Sequence, residues 1–167
     1  MQEPRIETKP PMRLIGLQAK FISGLSPDTN APDVIGPLWG GLNARMAEIQ
    51  RSDEKTCYGF CCAGDPAERT RPDELLYLAG APVAADAPVP EGLVAAETAG
   101  GQYAVFEHRG PIWNLGATIK AIYEEWLPTS GYRCSDRGDI ELYDERWSAD
   151  GEDSVLEYWL GIESDPA

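Results

Sequence analysis

The sequence predicts an α+β fold made by duplication: a βαββ repeat given twice, with antiparallel sheets, both helices on one side and a central ligand groove on the other. Three observations predict it. Apolar residues alternate with a period of two in six short runs. Two longer stretches carry them at helical spacing. The order strand, helix, strand, strand occurs once in each half of the 167 residues.

The first strand spans about Arg13 to Ser23, where Ile15, Leu17, Ala19 and Phe21 alternate with more polar neighbours. Val34, Ile35, Leu38, Trp39, Leu42, Met46 and Ile49 then fall at helical spacing, with Pro37 placed in the first turn, where a missing N–H costs nothing. Strands follow at Thr56 to Cys62 and Glu74 to Gly80, joined by the polar loop Gly64 to Asp73. In the second half a strand from Gln102 to His108 leads through Gly110-Pro111 into a helix with Ile112, Leu115, Ile119, Ile122, Tyr123 and Trp126 on one stripe. Pro128 stops it, Thr129-Ser130-Gly131 turns the chain, and strands follow at about Asp139 to Trp147 and Val155 to Ile162.

Overlaying the last strand of each half matches Leu75 with Leu156, Tyr77 with Tyr158 and Gly80 with Gly161. In that register Glu157 falls opposite Leu76 and Glu141 opposite Phe60. The domain is therefore expected to occupy 12–163, as one repeat over about 12–80, a proline-rich connector over 81–90 and a second repeat over about 91–163. Residues 1–11 read as an N-terminal extension and 164–167 as a tail.

The closing strands carry the functional signal. Ile140-Glu141-Leu142-Tyr143 and Leu156-Glu157-Tyr158-Trp159 each put a carboxylate beside a ring on one strand face. Paired as a hairpin across Ser148 to Ser154, they are expected to bring Glu141, Tyr143, Glu157 and Trp159 onto one surface. That is the make-up of a site for a flat, apolar, positively charged molecule. Acids present in one repeat and replaced by apolar residues in the other serve something besides the sheet.

Composition narrows the alternatives. Fourteen Lys+Arg against 28 Asp+Glu leave a formal charge of −14, which repels phosphate backbones and anionic lipid, so no direct nucleic-acid or membrane partner is expected. Met1 to Pro11 has no apolar signal core and no run approaches the ~20 residues of a membrane span, which points to a cytoplasmic protein. Cys57, Cys61, Cys62 and Cys134 lack paired metal-ligand spacing, and the single histidine, His108, is distant in sequence and reads as structural. No metal and no cofactor are expected. Trp39 and Trp126 read as core, and the sequence carries no nucleophilic triad, phosphate loop or dinucleotide fingerprint.

The chain also resembles a known family. Tyr103-Ala-Val-Phe-Glu-His-Arg-Gly-Pro111, Ile122-Tyr-Glu-Glu-Trp-Leu-Pro-Thr-Ser-Gly-Tyr132, Ile140-Glu-Leu-Tyr143 and Leu156-Glu-Tyr-Trp159 look like the GyrI-like domains, also called AraC-type effector-binding domains. Gly36-Pro-Leu-Trp39, Tyr58-Gly-Phe60 and Tyr77-Leu-Ala-Gly80 extend the resemblance from about Met12 to Glu163. It implies a small-molecule-binding groove, commonly for lipophilic organic cations, with acids of the last two strands facing the ligand. The matching positions are Glu141 and Glu157, with Tyr143 and Trp159 beside them; Trp159 stands where many relatives have tyrosine. Two alternatives come with the family: a hydrolase of strained, cyclopropane-bearing electrophiles, for which Glu157 is the candidate catalytic acid, and an acidic inhibitor or adaptor of a protein partner such as gyrase.

Overall fold

The computed structural model describes residues 3–165. Nine strands and two α-helices follow in the order β1 (Arg5–Lys9), β2 (Met12–Ile22), α1 (Ala31–Arg45), β3 (Cys57–Cys62), β4 (Glu74–Val83), β5 (Val94–Thr98), β6 (Gly101–Arg109), α2 (Leu115–Ala121), β7 (Tyr132–Cys134), β8 (Asp139–Tyr143) and β9 (Val155–Ser164). Every strand pairing is antiparallel, and the sheet runs β1-β6-β9-β8-β3-β4-β2-β5, with short β7 added against β9. The fold is α+β, and no described helix is long and apolar enough to cross a membrane.

Exchanging the strands of one half for those of the other reverses this order and leaves it unchanged. The duplication is therefore a pseudo-two-fold, and its axis passes through the cross-strand pair Phe60 and Ile140 at the β3·β8 junction. The halves also trade their outermost strands: β1 pairs with β6 of the second half, and β5 pairs with β2 of the first. Pro10 and Pro11, which lack backbone donors, separate β1 from β2 so that the two need not pair with each other. The segment read as an N-terminal extension thus supplies an edge strand, and β5 lies just beyond the connector, ahead of the strand expected to open the second repeat.

The ladder corrects the overlay by one residue. Leu78 pairs with Phe60 while Trp159 pairs with Ile140, so Cys61, not Phe60, is the counterpart of Glu141. The second half has one extra residue between its last two strands, and a one-residue offset moves every side chain to the other face.

Both helices lie on one face. Leu38, Trp39 and Leu42 of α1 pack on Ile15, Tyr77 and Ala79, while Ile119, Ile122, Tyr123 and Trp126 pack on Phe106, Tyr158 and Leu160. α1 begins earlier than its apolar stripe suggested, so Pro32 takes the first turn and Pro37 sits inside the helix. The second helical stretch is α-helical only over Leu115–Ala121, and Ile122–Trp126 widen into a π-helical turn. The opposite face is filled. Leu14, Phe60, Leu78, Tyr103, Val105, Ile140 and Trp159 form one cluster there, none more than 8% exposed. Residues of β2 and β6, five steps apart in the sheet, meet in it, so the sheet curls on itself and, among the described residues, this packed cluster occupies the face where the groove was expected.

Candidate ligand-binding site

The ladder separates the four residues predicted to converge. Leu142 pairs with Glu157 and Glu141 with Tyr158, so Glu141 and Tyr143 point to the helix side while Glu157 and Trp159 point to the packed side. The expected single surface does not form, because the strands meet one residue out of the register that would have aligned the acids.

Glu157 lies opposite Glu107, a like-charge pair that would be unfavourable alone. Two arginines bridge it: Arg5 lies 2.9 Å from Glu157 and 3.6 Å from Glu107, and Arg146 lies 3.3 Å and 3.7 Å from the same carboxylates. The Trp159 indole N–H donates to the other Glu157 oxygen at 2.9 Å, and Lys9 stands 4.2 Å over the Trp159 ring. Burial pushes the Glu157 carboxyl up, but the indole and the two guanidiniums outweigh it and hold the group below its ordinary value. The chain's own N-terminal strand, with Arg146 from the β8–β9 connection, thus supplies the cations for this acid and ring. The sequence reading missed Arg5 and Lys9 because β1 was not recognised as a strand.

Glu141 is buried without such company. Its Oε2 accepts from the hydroxyls of Tyr77 (2.6 Å) and Tyr143 (2.7 Å), and the Trp39 indole N–H donates to the Tyr77 oxygen at 3.0 Å. Among the described residues no cation lies within ion-pair distance of it and no donor reaches Oε1. The pocket for this cluster is opened by Gly59, its cross-strand partner: an added Cβ would lie 2.1 Å from the Tyr77 oxygen and 2.6 Å from Glu141 Oε2. The rings of Trp39, Tyr143 and Trp147 run outward in edge contact, 4.9 Å and 5.1 Å between successive centroids, to Trp147 at 36% exposed.

Asp139, which sequence reading also missed, stands two positions before Glu141 on the same face. Its Oδ2 accepts from Tyr123 (2.5 Å) and Tyr158 (2.6 Å), the wider π-helical turn carrying Tyr123 to it, and the carboxylate also accepts from the Gly161 backbone N–H. Burial raises both carboxyls above the ordinary range against the lowering effect of the tyrosine donors. It also pushes the Tyr77, Tyr143 and Tyr158 hydroxyls up, so these remain donors. Cys61, opposite Asp139, completes the floor, its thiol raised by burial and by both acids. His108 is held by Thr118 Oγ1 at 2.8 Å and the Pro111 carbonyl at 3.2 Å, a structural role. The four cysteines are free thiols. An open surface cleft of about 390 Å³ lies elsewhere, against Met12, Arg13, Pro82 and Val83.

The comparison with known sequences decides the family, since the model of the GyrI-like small molecule binding domain matches residues 2–163. This chain belongs to the GyrI-like family. The GyrI-like domain is 34% identical over 137 residues to the transcriptional regulator BrlR of Pseudomonas aeruginosa, covering 81% of this chain and 48% of that protein. It therefore spans about half the length of this curated relative. Among solved structures its fold is similar to SAV2435 bound to tetraphenylphosphonium (TM-score 0.73, 16% identity, 97% of this chain and 94% of that one). It is also similar to the EcmrR C-terminal domain (TM-score 0.65, 13% identity, 98% of each chain). At these identities the structural likeness speaks for the fold.

Proposed function

We propose that this GyrI-like domain is an effector-binding module for lipophilic cationic or planar aromatic compounds, with Glu141 as the anion that meets the ligand. One observation carries the reading: Glu141 is 8% exposed, without a cation among the described residues and with Oε1 free of donors, at the inner end of a row of aromatic rings. A buried carboxylate in that state is costly, and a bound cation relieves the cost. Trp39, Tyr143 and Trp147 offer ring faces to a planar or quaternary guest, each worth about 0.5–2 kcal/mol. In the unliganded chain these rings close over the acid, so binding turns Tyr143 and Trp147 outward. The ligand reported for SAV2435, a lipophilic cation, supports this chemistry, and the regulator BrlR supports an effector role.

Glu157 and Trp159 take no part in this reading, because Arg5, Arg146 and Lys9 already engage them. Hydrolysis of a strained electrophile is a second reading on the same cluster, with Glu141 in place of Glu157 as the acid, favoured by the raised carboxyl beside two tyrosine donors. Calorimetric titration with tetraphenylphosphonium tests binding through Glu141, and product formation from a cyclopropane-bearing electrophile over many turnovers tests hydrolysis. A titration without heat or thermal stabilisation would rule out the binding reading.

A further inference from the structure

The packed face of the sheet carries a cation-binding arrangement whose occupant is the chain itself. Lys9 Nζ stands 4.2 Å over the Trp159 ring. The rings of Tyr58 and Tyr103 meet that indole at 68° and 61°, with centroids 6.0 Å and 6.2 Å away, and its N–H donates to the Glu157 carboxylate. Aromatic cages hold alkylammonium groups with such sets of rings, so the Lys9 ammonium stands in the place of an alkylammonium head group. The strand that brings it is held from one side. β1 is an edge strand of five residues, paired with β6 alone and followed by Pro10 and Pro11, which cannot donate to a ladder. Its charges travel with it, because Glu7, on the same face of β1, accepts from both Arg5 and Lys9. Among the described residues Lys9 pairs with no other carboxylate. The bridges from Arg5 are duplicated: Arg146 also reaches Glu157 and Glu107, so these acids keep a cation when β1 withdraws.

We infer that β1 is a strap carrying a built-in competitor: Lys9 fills the Trp159 cage in the free chain, and an organic ammonium ion enters there only by displacing it. The cage lies on the face of the sheet opposite Glu141, so its occupation is independent of the site proposed above. Tethering keeps Lys9 at a high effective concentration, and an incoming cation must gain more from the rings than a primary ammonium does. Alkylated ammonium ions meet that condition. Their substituents bring apolar surface to the rings, whereas the ammonium of lysine is compact and strongly hydrated and loses little by returning to water beside Glu7.

The test titrates the full chain carrying Glu141→Gln with tetramethylammonium and follows Lys9 by NMR. In the free chain the Lys9 ε-methylene protons are expected upfield of their ordinary position, because they lie against the Trp159 ring, and they should return to it as tetramethylammonium fills the cage. This readout leaves every residue of the cage and strap intact. Lys9→Gln, added to the same chain, is expected to tighten tetramethylammonium binding about tenfold by removing the competing cation–π contact. Lys120→Gln removes an equal charge from an exposed position on α2 and should change affinity less than about twofold. A Lys9 methylene without an upfield shift, or one that keeps it at saturation, overturns the inference. So does tetramethylammonium binding that is absent from the Lys9→Gln chain, or a gain there that Lys120→Gln equals. A chain that binds tetraphenylphosphonium through Glu141 while Lys9 stays on its ring overturns the strap alone, and displacement of Lys9 in the Glu141→Gln chain supports the strap whatever Glu141 binds.

Discussion

Glu141→Gln removes one charge and almost no volume, and the structure sets what it should do. A lipophilic cation shielded by its substituents approaches a carboxylate to about 6 Å, where the attraction at an effective dielectric of about 20 is about 3 kcal/mol. Part of that is returned, because each unit by which burial lifts the Glu141 carboxyl costs about 1.4 kcal/mol to hold it ionised. A net loss of about 1.5 kcal/mol, roughly tenfold in Kd for tetraphenylphosphonium, is the expected outcome by isothermal titration. Glutamine still accepts from Tyr77 and Tyr143, so the unliganded variant should melt within a few degrees of wild type. Glu157→Gln should leave affinity unchanged and lower stability by about 1 kcal/mol, because half-exposed Arg5 and Arg146 lose one of the two carboxylates they share. The opposite pattern, with affinity lost in Glu157→Gln and kept in Glu141→Gln, would refute the reasoning and move the site to the other face.

Gly59→Ala should destabilise the fold by about 2–3 kcal/mol in denaturant titration, since its Cβ meets the Tyr77 hydroxyl at 2.1 Å and the core cannot give way there. Tyr77→Phe strands the Trp39 indole N–H and removes a donor from Glu141, with an expected cost of about 1–2 kcal/mol in the same measurement. The pH dependence follows from the direction of the shifts. With folded values raised above the unfolded ones, Asp139 and Glu141 bind protons more tightly in the native state, so their contribution is complete below the ordinary carboxylate range and is lost as pH rises through their folded values. Thermal melts should show that decline, flattened in Asp139→Asn/Glu141→Gln. Cation affinity should climb across the same window, because ionised acids attract the guest and neutral ones do not.

The duplication was readable because Tyr77 with Tyr158 and Gly80 with Gly161 recur at one offset, and the helix faces because Leu38, Trp39, Leu42, Ile119 and Ile122 keep helical spacing. The acid beside a ring at Glu141 and Tyr143 was visible for the same local reason. Which face it occupies was not, since that depends on pairing across β8 and β9, and one extra residue in their connection decides it. Asp139 and Tyr123 were hidden differently: 16 residues apart, they meet only through the π-helical turn, which leaves no mark in apolar periodicity. β1 escaped because Arg5, Glu7 and Lys9 read as solvated chain, although their charges are what Glu157, Glu107 and Trp159 require.

The swap of β1 and β5 between the repeats has a consequence for how the molecule comes apart. Each repeat lends its outer edge to the other, so neither owns a complete set of paired backbone groups, and loosening one unzips a seam of its twin. Melting should then be a single cooperative event, and a chain nicked between Asp86 and Glu91 should hold together as two interlocked fragments until the whole sheet dissolves.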